Sequence, residues 1–250
     1  GVPRDKRKIT VHHLLTHMAG LRDEFGNDED PMERDELMRL ILESPLKRPI
    51  GQRYMYTNAG YSMLGAIIEK VSGMGYEAYL RDRFFDPLGM DDTGYVLPRF
   101  DKSRLAVGYA GNGRRWGTLL DYPWADDGPY WNLRCNGGIL STLDDMYAWH
   151  RALETDAVLT QESRDLMFTP HVSEGPNIDT FYGYGWVSAT TVQGTKLITH
   201  NGGNGFFFAD MYRYIDEGVC FILFTNCGDT MGSTLDLRHM ARGLRTELPD

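Results

Sequence analysis

Tyr54-Met55-Tyr56-Thr57-Asn58-Ala59-Gly60-Tyr61 is the stretch from which the rest of this chain reads outward. A phenol and a carboxamide stand two residues apart, directly before the apolar run Met63 to Val71. Asparagine favours the N-cap of a helix because its side-chain oxygen accepts an orphan N–H of the first turn. Asn58 is therefore predicted to cap, with Tyr56 in the turn leading in, where a phenol can be held rigidly at the mouth of a cleft. Taken alone, the plain reading is favoured: Tyr56 is one of 14 tyrosines and Asn58 is simply a cap.

Upstream, Thr10 is predicted to cap a short helix from Val11 to Met18, closed by Gly20. Asp30-Pro31-Met32-Glu33 has the form of a capping box with proline at the first helical position, and Leu37, Leu40 and Ile41 follow at helical spacing. Pro45, Pro49 and Gly51 then break the chain. Downstream, the helix after Asn58 is expected to stop at Gly73, and a second, Tyr76 to Phe85, before Pro87. Leu88 to Leu133 is rich in Gly, Pro, Asp and aromatic residues and reads as long loops with one or two strands. Thr142 opens a helix to about Glu154, and Thr160 another to Phe168.

After Pro176 the pattern changes. Phe181–Thr190, Thr195–Thr199, Phe206–Tyr214 and Val219–Thr225 read as four strands joined by short glycine-containing turns, which implies an antiparallel meander. Met231 to Leu248 reads as a closing helix. The chain thus divides into a helical and loop-rich lobe, 1–176, and a sheet-plus-helix region, 177–250, an α+β arrangement.

With 250 residues and 42% hydrophobic content, the chain can bury a substantial core. A net charge of −9, with Arg4-Asp5-Lys6-Arg7-Lys8 as the one basic run, argues against nucleic acid or an anionic membrane as the main partner. No apolar segment approaches the ~20 residues of a membrane span. Three scattered cysteines, Cys135, Cys220 and Cys227, make neither a disulfide framework nor a zinc knuckle. Gly1-Val2-Pro3 carries no initiator Met and no signal peptide, so compartment is not legible from this end.

Chemistry enters with His200-Asn201-Gly202-Gly203 at a strand end. An imidazole followed by glycines can bring a ring and bare backbone N–H groups to one sheet edge, where an oxyanion can approach closely. Three further segments stand in a fixed order with it: Ile9-Thr10-Val11-His12-His13-Leu14-Leu15-Thr16-His17-Met18-Ala19-Gly20-Leu21, Tyr56-Thr57-Asn58, and Cys135-Asn136-Gly137-Gly138-Ile139-Leu140-Ser141-Thr142. Together the four resemble, over nearly the whole chain, the serine β-lactamase and penicillin-binding-protein-like family, which includes class C β-lactamases, DD-peptidases and esterases. Tyr56-Thr57-Asn58 resembles its Tyr-x-Asn motif, and His200-Asn201-Gly202 its Lys/His-x-Gly motif.

The resemblance implies a serine nucleophile, an acyl-enzyme, and release of the acyl group to water or another acceptor. Tyr56 would shuttle protons, and a phenol with an ordinary pKa of ~10 needs cationic neighbours to do so near neutrality. Asn58 would hydrogen-bond the substrate carbonyl or amide. His200 would add positive character or a hydrogen bond beside Tyr56, with Asn201 and Gly202 as substrate-binding neighbours. The Gly203 N–H would form half of an oxyanion hole. Ester, amide or β-lactam substrates follow, with no cofactor. Histidine at position 200 leans towards an esterase, amidase or peptidase.

The family's Ser-x-x-Lys nucleophile motif begins a helix well upstream of the His-Leu-Leu-Thr-His segment. Here the single Ser-x-x-Lys, Ser44-Pro45-Leu46-Lys47, follows a helix and runs into Arg48-Pro49, so it cannot hold Ser and Lys on one helical face. The expectation is a fold whose N-terminal strands and nucleophile helix lie outside these residues. A sheet edge and an apolar cleft wall would then be open to a processed N-terminal piece or another chain. This chain alone is expected not to acylate. A non-catalytic relative or fragment that keeps only the binding cleft is the alternative. His12, His13 and His17 raise a metal site, but no HExxH glutamate or further ligand set accompanies them. Cys135 and Cys227 carry no nearby His signature in sequence that would make either a nucleophile. Trp116, Tyr122, Trp124, Tyr130 and Trp131 either line an acyl pocket or pack the loops.

Overall fold

The computed structural model describes residues 1–122 and 124–227. The helix read over Met231 to Leu248 lies outside the described residues. The architecture is α+β: helices and long loops come first, and six antiparallel strands follow in sequential order.

Helix α1 (Val11–Leu15) starts at Thr10, whose hydroxyl accepts from the His13 N–H while the His13 ring accepts from the Thr10 N–H, a capping box built with an imidazole. It stops one turn earlier than its sequence suggests, because His17 takes a left-handed φ of 56° and turns the chain away. Helix α2 (Arg34–Glu43) begins later than the Asp30-Pro31 signal predicts. Asp30 spends its carboxylate on the Asn27 N–H at 2.8 Å instead of on the first helical turn. Helix α3 (Asn58–Ser72) ends at Gly73, where φ is 71°. Leu14, Leu37, Ile41 and Ala59 bury the facing sides of these three helices against Trp131 and against Leu21 of the loop after α1. Each fully buried aliphatic side chain there contributes roughly 1.5–3 kcal/mol.

Helix α4 (Tyr76–Leu80) does not end before Pro87. It widens into a π turn over Arg81–Phe85 and continues as α5 (Asp86–Leu88), with the proline in the first turn of the new segment, where a missing N–H breaks no ladder. Gly89, at φ 66°, closes it. A small hairpin, β1 (Gly108–Tyr109) and β2 (Arg115–Gly117), lies in the loop region. Helices α6 (Leu143–Ala152) and α7 (Gln161–Met167) are capped by Thr142 and Thr160 as their sequence predicts.

The sheet comprises β3 (Val172–Ser173), β4 (Thr180–Tyr182), β5 (Val187–Thr190), β6 (Lys196–Gly203), β7 (Phe208–Tyr214) and β8 (Val219–Thr225). The expected single run Phe181–Thr190 is two strands. Gly183 lies so close to the Met167 carbonyl that no Cβ fits, and the Tyr184 N–H donates to that carbonyl, which folds the run into a hairpin. Ile198 on β6 packs with Leu153 and Phe168, fastening α6 and α7 to the sheet. No helix among the described residues is long and apolar enough to cross a membrane.

Candidate active site

The N-cap of α3 is Thr57, not Asn58. Thr57 has the extended backbone of a cap, and its hydroxyl accepts from the Gly60 N–H at 3.3 Å and donates to the Arg22 carbonyl at 3.4 Å. Asn58 is thereby the first helical residue. Its N–H goes to the Asp23 carboxylate at 2.6 Å, and the Asn58 side chain lines the cleft. The Ala59 N–H goes to the Asp23 carbonyl, so Asp23 satisfies two orphan donors and places negative charge at the positive end of a 15-residue helix.

Tyr56, directly before this cap, rests on His17. The two rings are 4.1 Å apart and tilted by 35°. His17 is fully buried, ringed also by Tyr61 at 4.9 Å, Tyr182 at 4.7 Å and Tyr54 at 5.7 Å. Its Nδ1 accepts the Thr57 N–H at 3.1 Å, which places the ring proton on Nε2. Burial pushes the His17 pKa down to about 3, with the neighbouring His200 adding to the shift, so the ring is neutral at pH 7. Tyr56 is 40% exposed, and its phenol is held above the ordinary value by burial first and the Asp23 carboxylate second.

The opposite wall is β6. His200 through Gly203 lie inside the strand, paired with Met211 to Phe208 of β7, and the turn falls later, where the Asn204 side chain accepts from the Phe206 and Phe207 N–H groups. The bonds Ile215 N–H to Lys196 O and Asn204 N–H to Phe207 O put the even-numbered residues of β6 in hydrogen-bonding register with β7. Odd-numbered residues face β5, whose pairing ends at Val187 opposite Thr199. The backbone groups of Asn201 and Gly203 therefore point past the start of β5, toward the cleft that both residues line. His200 Nε2 meets the Tyr182 hydroxyl at 3.0 Å rather than Tyr56. Burial lowers the His200 pKa against the opposing pull of Glu174 and Asp210, so it supplies a hydrogen bond and no positive charge at pH 7.

Tyr56, Asn58, His200, Asn201, Gly202 and Gly203 all line one open cleft of about 1250 Å³. The loop from Cys135 to Thr142 forms another side of it, with Phe84, Trp149, Phe207 and Phe208 as an apolar wall. None of Trp116, Tyr122, Trp124, Tyr130 and Trp131 lines the cleft. Trp116 stacks on Tyr122 at 4.0 Å and on Phe206 at 4.7 Å, and Trp131 is core. Ser141 is the one serine lining the cleft among the described residues, and its hydroxyl is engaged with Thr93 Oγ1 at 2.8 Å. Ser44 ends α2 with its hydroxyl on the Ile41 carbonyl, outside the cleft. The three early histidines diverge: His13 binds Thr10, His12 meets the Tyr184 hydroxyl at 2.9 Å, and His17 binds Thr57. Burial raises the Cys135 thiol far above its ordinary value, which removes it as a nucleophile.

A family model described as Beta-lactamase matches residues 2–244. The chain belongs to the β-lactamase family. Among relatives of this β-lactamase-family chain, a penicillin-binding protein of Bacillus subtilis is 27% identical over 237 residues, covering 87% of this chain and 51% of its own length. A D-aminopeptidase of Cereibacter sphaeroides is 25% identical, covering 87% of this chain and 42% of its own. The crystal structure of a penicillin-binding protein from Bacillus halodurans superposes with a TM-score of 0.74 at 25% identity, over 93% of this chain and 74% of that one. The fold is thus β-lactamase/transpeptidase-like. The chain spans about half the length of the curated relatives it matches.

Sequence reasoning missed two residues that stand behind the lining of this β-lactamase-family cleft and hold Tyr56 and Asn58. Asp23 gave no local signal, since its partner is 35 positions away. His17 was visible only as the third histidine of a helical segment, and its left-handed backbone, which aims it at Tyr56, is a tertiary outcome.

Proposed function

We propose that this chain supplies the proton-handling and oxyanion-binding part of a serine hydrolase that acts on an ester, amide or β-lactam carbonyl through an acyl-enzyme. The observation that carries the reading is the convergence of Tyr56, Asn58 and the open edge of β6 in one cleft of a β-lactamase-family fold. Asn58 offers an amide to the substrate, and the Gly203 N–H, pointing past β5 and unpaired there among the described residues, would meet a developing oxyanion. Tyr56 is a protonated phenol at neutral pH, and both nearby histidines are neutral. The cation that would lower its pKa comes, in this reading, from outside the described residues, together with the serine: a Ser-x-x-Lys helix would bring both. The apolar wall of Phe84, Trp149, Phe207 and Phe208 suits an apolar or aromatic substituent. The D-aminopeptidase among the relatives supports an amide substrate.

The test is intact mass before and after incubation with a β-lactam and an activated ester, on the 250-residue chain and on a longer form carrying a Ser-x-x-Lys segment. The expected result is an adduct on the longer form only, with Tyr56→Phe slowing its turnover without loss of fold. An adduct on the 250-residue chain would put the nucleophile within it. No adduct on either would sink the acyl-enzyme reading and leave a cleft that only binds.

A further inference from the structure

We infer that His17 is the positioning residue for Tyr56, gripping it by both its ring and its backbone. The inference rests on the reading above that Tyr56 handles protons in the cleft. Imidazole and phenol pack 4.1 Å apart at a tilt of 35°, and His17 Nδ1 takes the N–H of Thr57, the residue bonded to Tyr56. One side chain thus fixes the orientation of the Tyr56 ring and the peptide that follows it, immediately before Asn58.

Filling space does not account for a histidine here. The site is fully buried, yet Nε2 has no hydrogen-bond partner among the described residues. A phenylalanine would present a flat ring without the orphan Nε2, whose burial is costly, but would strand the buried Thr57 N–H. The residue also holds a φ of 56°, a conformation that costs a non-glycine residue on folding. What histidine adds to an apolar ring is the acceptor on Thr57. What it adds to asparagine, which tolerates that backbone and can also accept, is the flat surface under Tyr56. Only histidine supplies both.

Burial and the Asp23 carboxylate at the start of α3 set the titration of Tyr56; the rings of His17 and Tyr182 pack against it, and Tyr56 in turn raises the phenols of Tyr54, Tyr61 and Tyr182. His17→Phe keeps the ring and drops the acceptor; His17→Asn does the reverse. Each variant is followed by Thr57 amide hydrogen exchange at neutral pH and by site-resolved tyrosine NMR titration. In His17→Phe the Thr57 amide is expected to exchange at least about tenfold faster, as loss of one hydrogen bond implies. In His17→Asn that amide stays protected, while Tyr56 titrates closer to the ordinary ~10 of a solvated phenol. Tyr76 and Tyr95, buried elsewhere, should not move in either variant. Should His17→Phe fail to fold, His17→Asn alone decides, through Tyr56 against Tyr76 and Tyr95. Unchanged Tyr56 titration in a folded His17→Asn, or equal movement of all three tyrosines, overturns the assignment. Neither readout needs turnover, so the inference can fail while the hydrolase reading stands, and the reverse.

Discussion

Gly65, in the middle of α3, faces the Cys135 corner of the cleft loop, and Gly65→Ala measures how tightly the two are joined. A Cβ at position 65 would fall well inside the envelope of both Sγ and Cβ of Cys135, whereas Tyr76 Cδ2 would sit at an ordinary 3.8 Å. Because Cβ itself is overlapped, no rotamer of Cys135 relieves the clash, and the backbone must move. That backbone is tied by the Cys135 N–H to the Tyr95 hydroxyl at 3.0 Å, and the next side chain is anchored by Asn136 Nδ2 donating to Ser62 Oγ at 2.8 Å. Overpacking costs about 1–3 kcal/mol, and a strained hydrogen bond about 1 more. Alanine returns about 1 kcal/mol of helix propensity. The expected net loss is about 2 kcal/mol, read as a lower urea midpoint at constant m and about 4–8 °C in Tm. Cys135→Gly removes both overlapping atoms and suits the φ of 74° at that position, so the double variant should recover to within about 1 kcal/mol. Cys135→Ala keeps the Cβ and should rescue poorly. Gly65→Ala at parental stability, or equal rescue by both partners, would refute the reasoning.

Two further outcomes follow from the same geometry. His17 titrates near 3 in the folded chain and at 6.5 when exposed, so the unfolded state binds the extra proton between those values. Stability from this group is complete above pH 6.5 and falls as pH drops, by up to about 2 kcal/mol at pH 5, flattening below 3. His17→Asn should reduce that slope in urea titrations across pH, and an unaltered slope would remove His17 as its source. On β6, a Cβ at Gly202 meets nothing within 4 Å, whereas one at Gly203 lies 2.7 Å from the Phe207 carbonyl. Gly202→Ala should therefore stay within about 0.5 kcal/mol and Gly203→Ala cost about 1–3. Equal melting temperatures for the two would contradict the described hairpin.

Periodicity and capping chemistry made most of the scaffold legible. Thr10, Thr142 and Thr160 cap where their side chains say they should, because a hydroxyl at a helix start acts locally. The same logic misplaced one cap: Thr57 and Asn58 are both good N-caps, and only tertiary contact with Arg22 and Asp23 decides between them. Length errors have the same origin. A π turn lets the chain pass Pro87, and the Met167 carbonyl pressing on Gly183 splits a strand run in two. Within the cleft, motifs in fixed order pointed to Tyr56, Asn58 and residues 200–203. The charge states did not follow. Neutrality of His200 and His17 comes from burial, which no motif spells out.

The two walls of the cleft stand far apart along the chain. Tyr56 and Asn58 are complete in the first quarter of the sequence, while Tyr182 and His200, which close the aromatic cluster around His17, come near the end. Contacts of such sequence separation are slow to form, because a long loop must close before any contact rewards it. During synthesis, a nascent chain ending before about residue 180 carries the Tyr-x-Asn corner with no facing wall. Its tyrosines then sit in water beside an uncovered imidazole. If the cleft captures a ligand as proposed, that capture switches on only when the sheet docks, and retention on a cleft-directed affinity resin would report completed folding of the described residues.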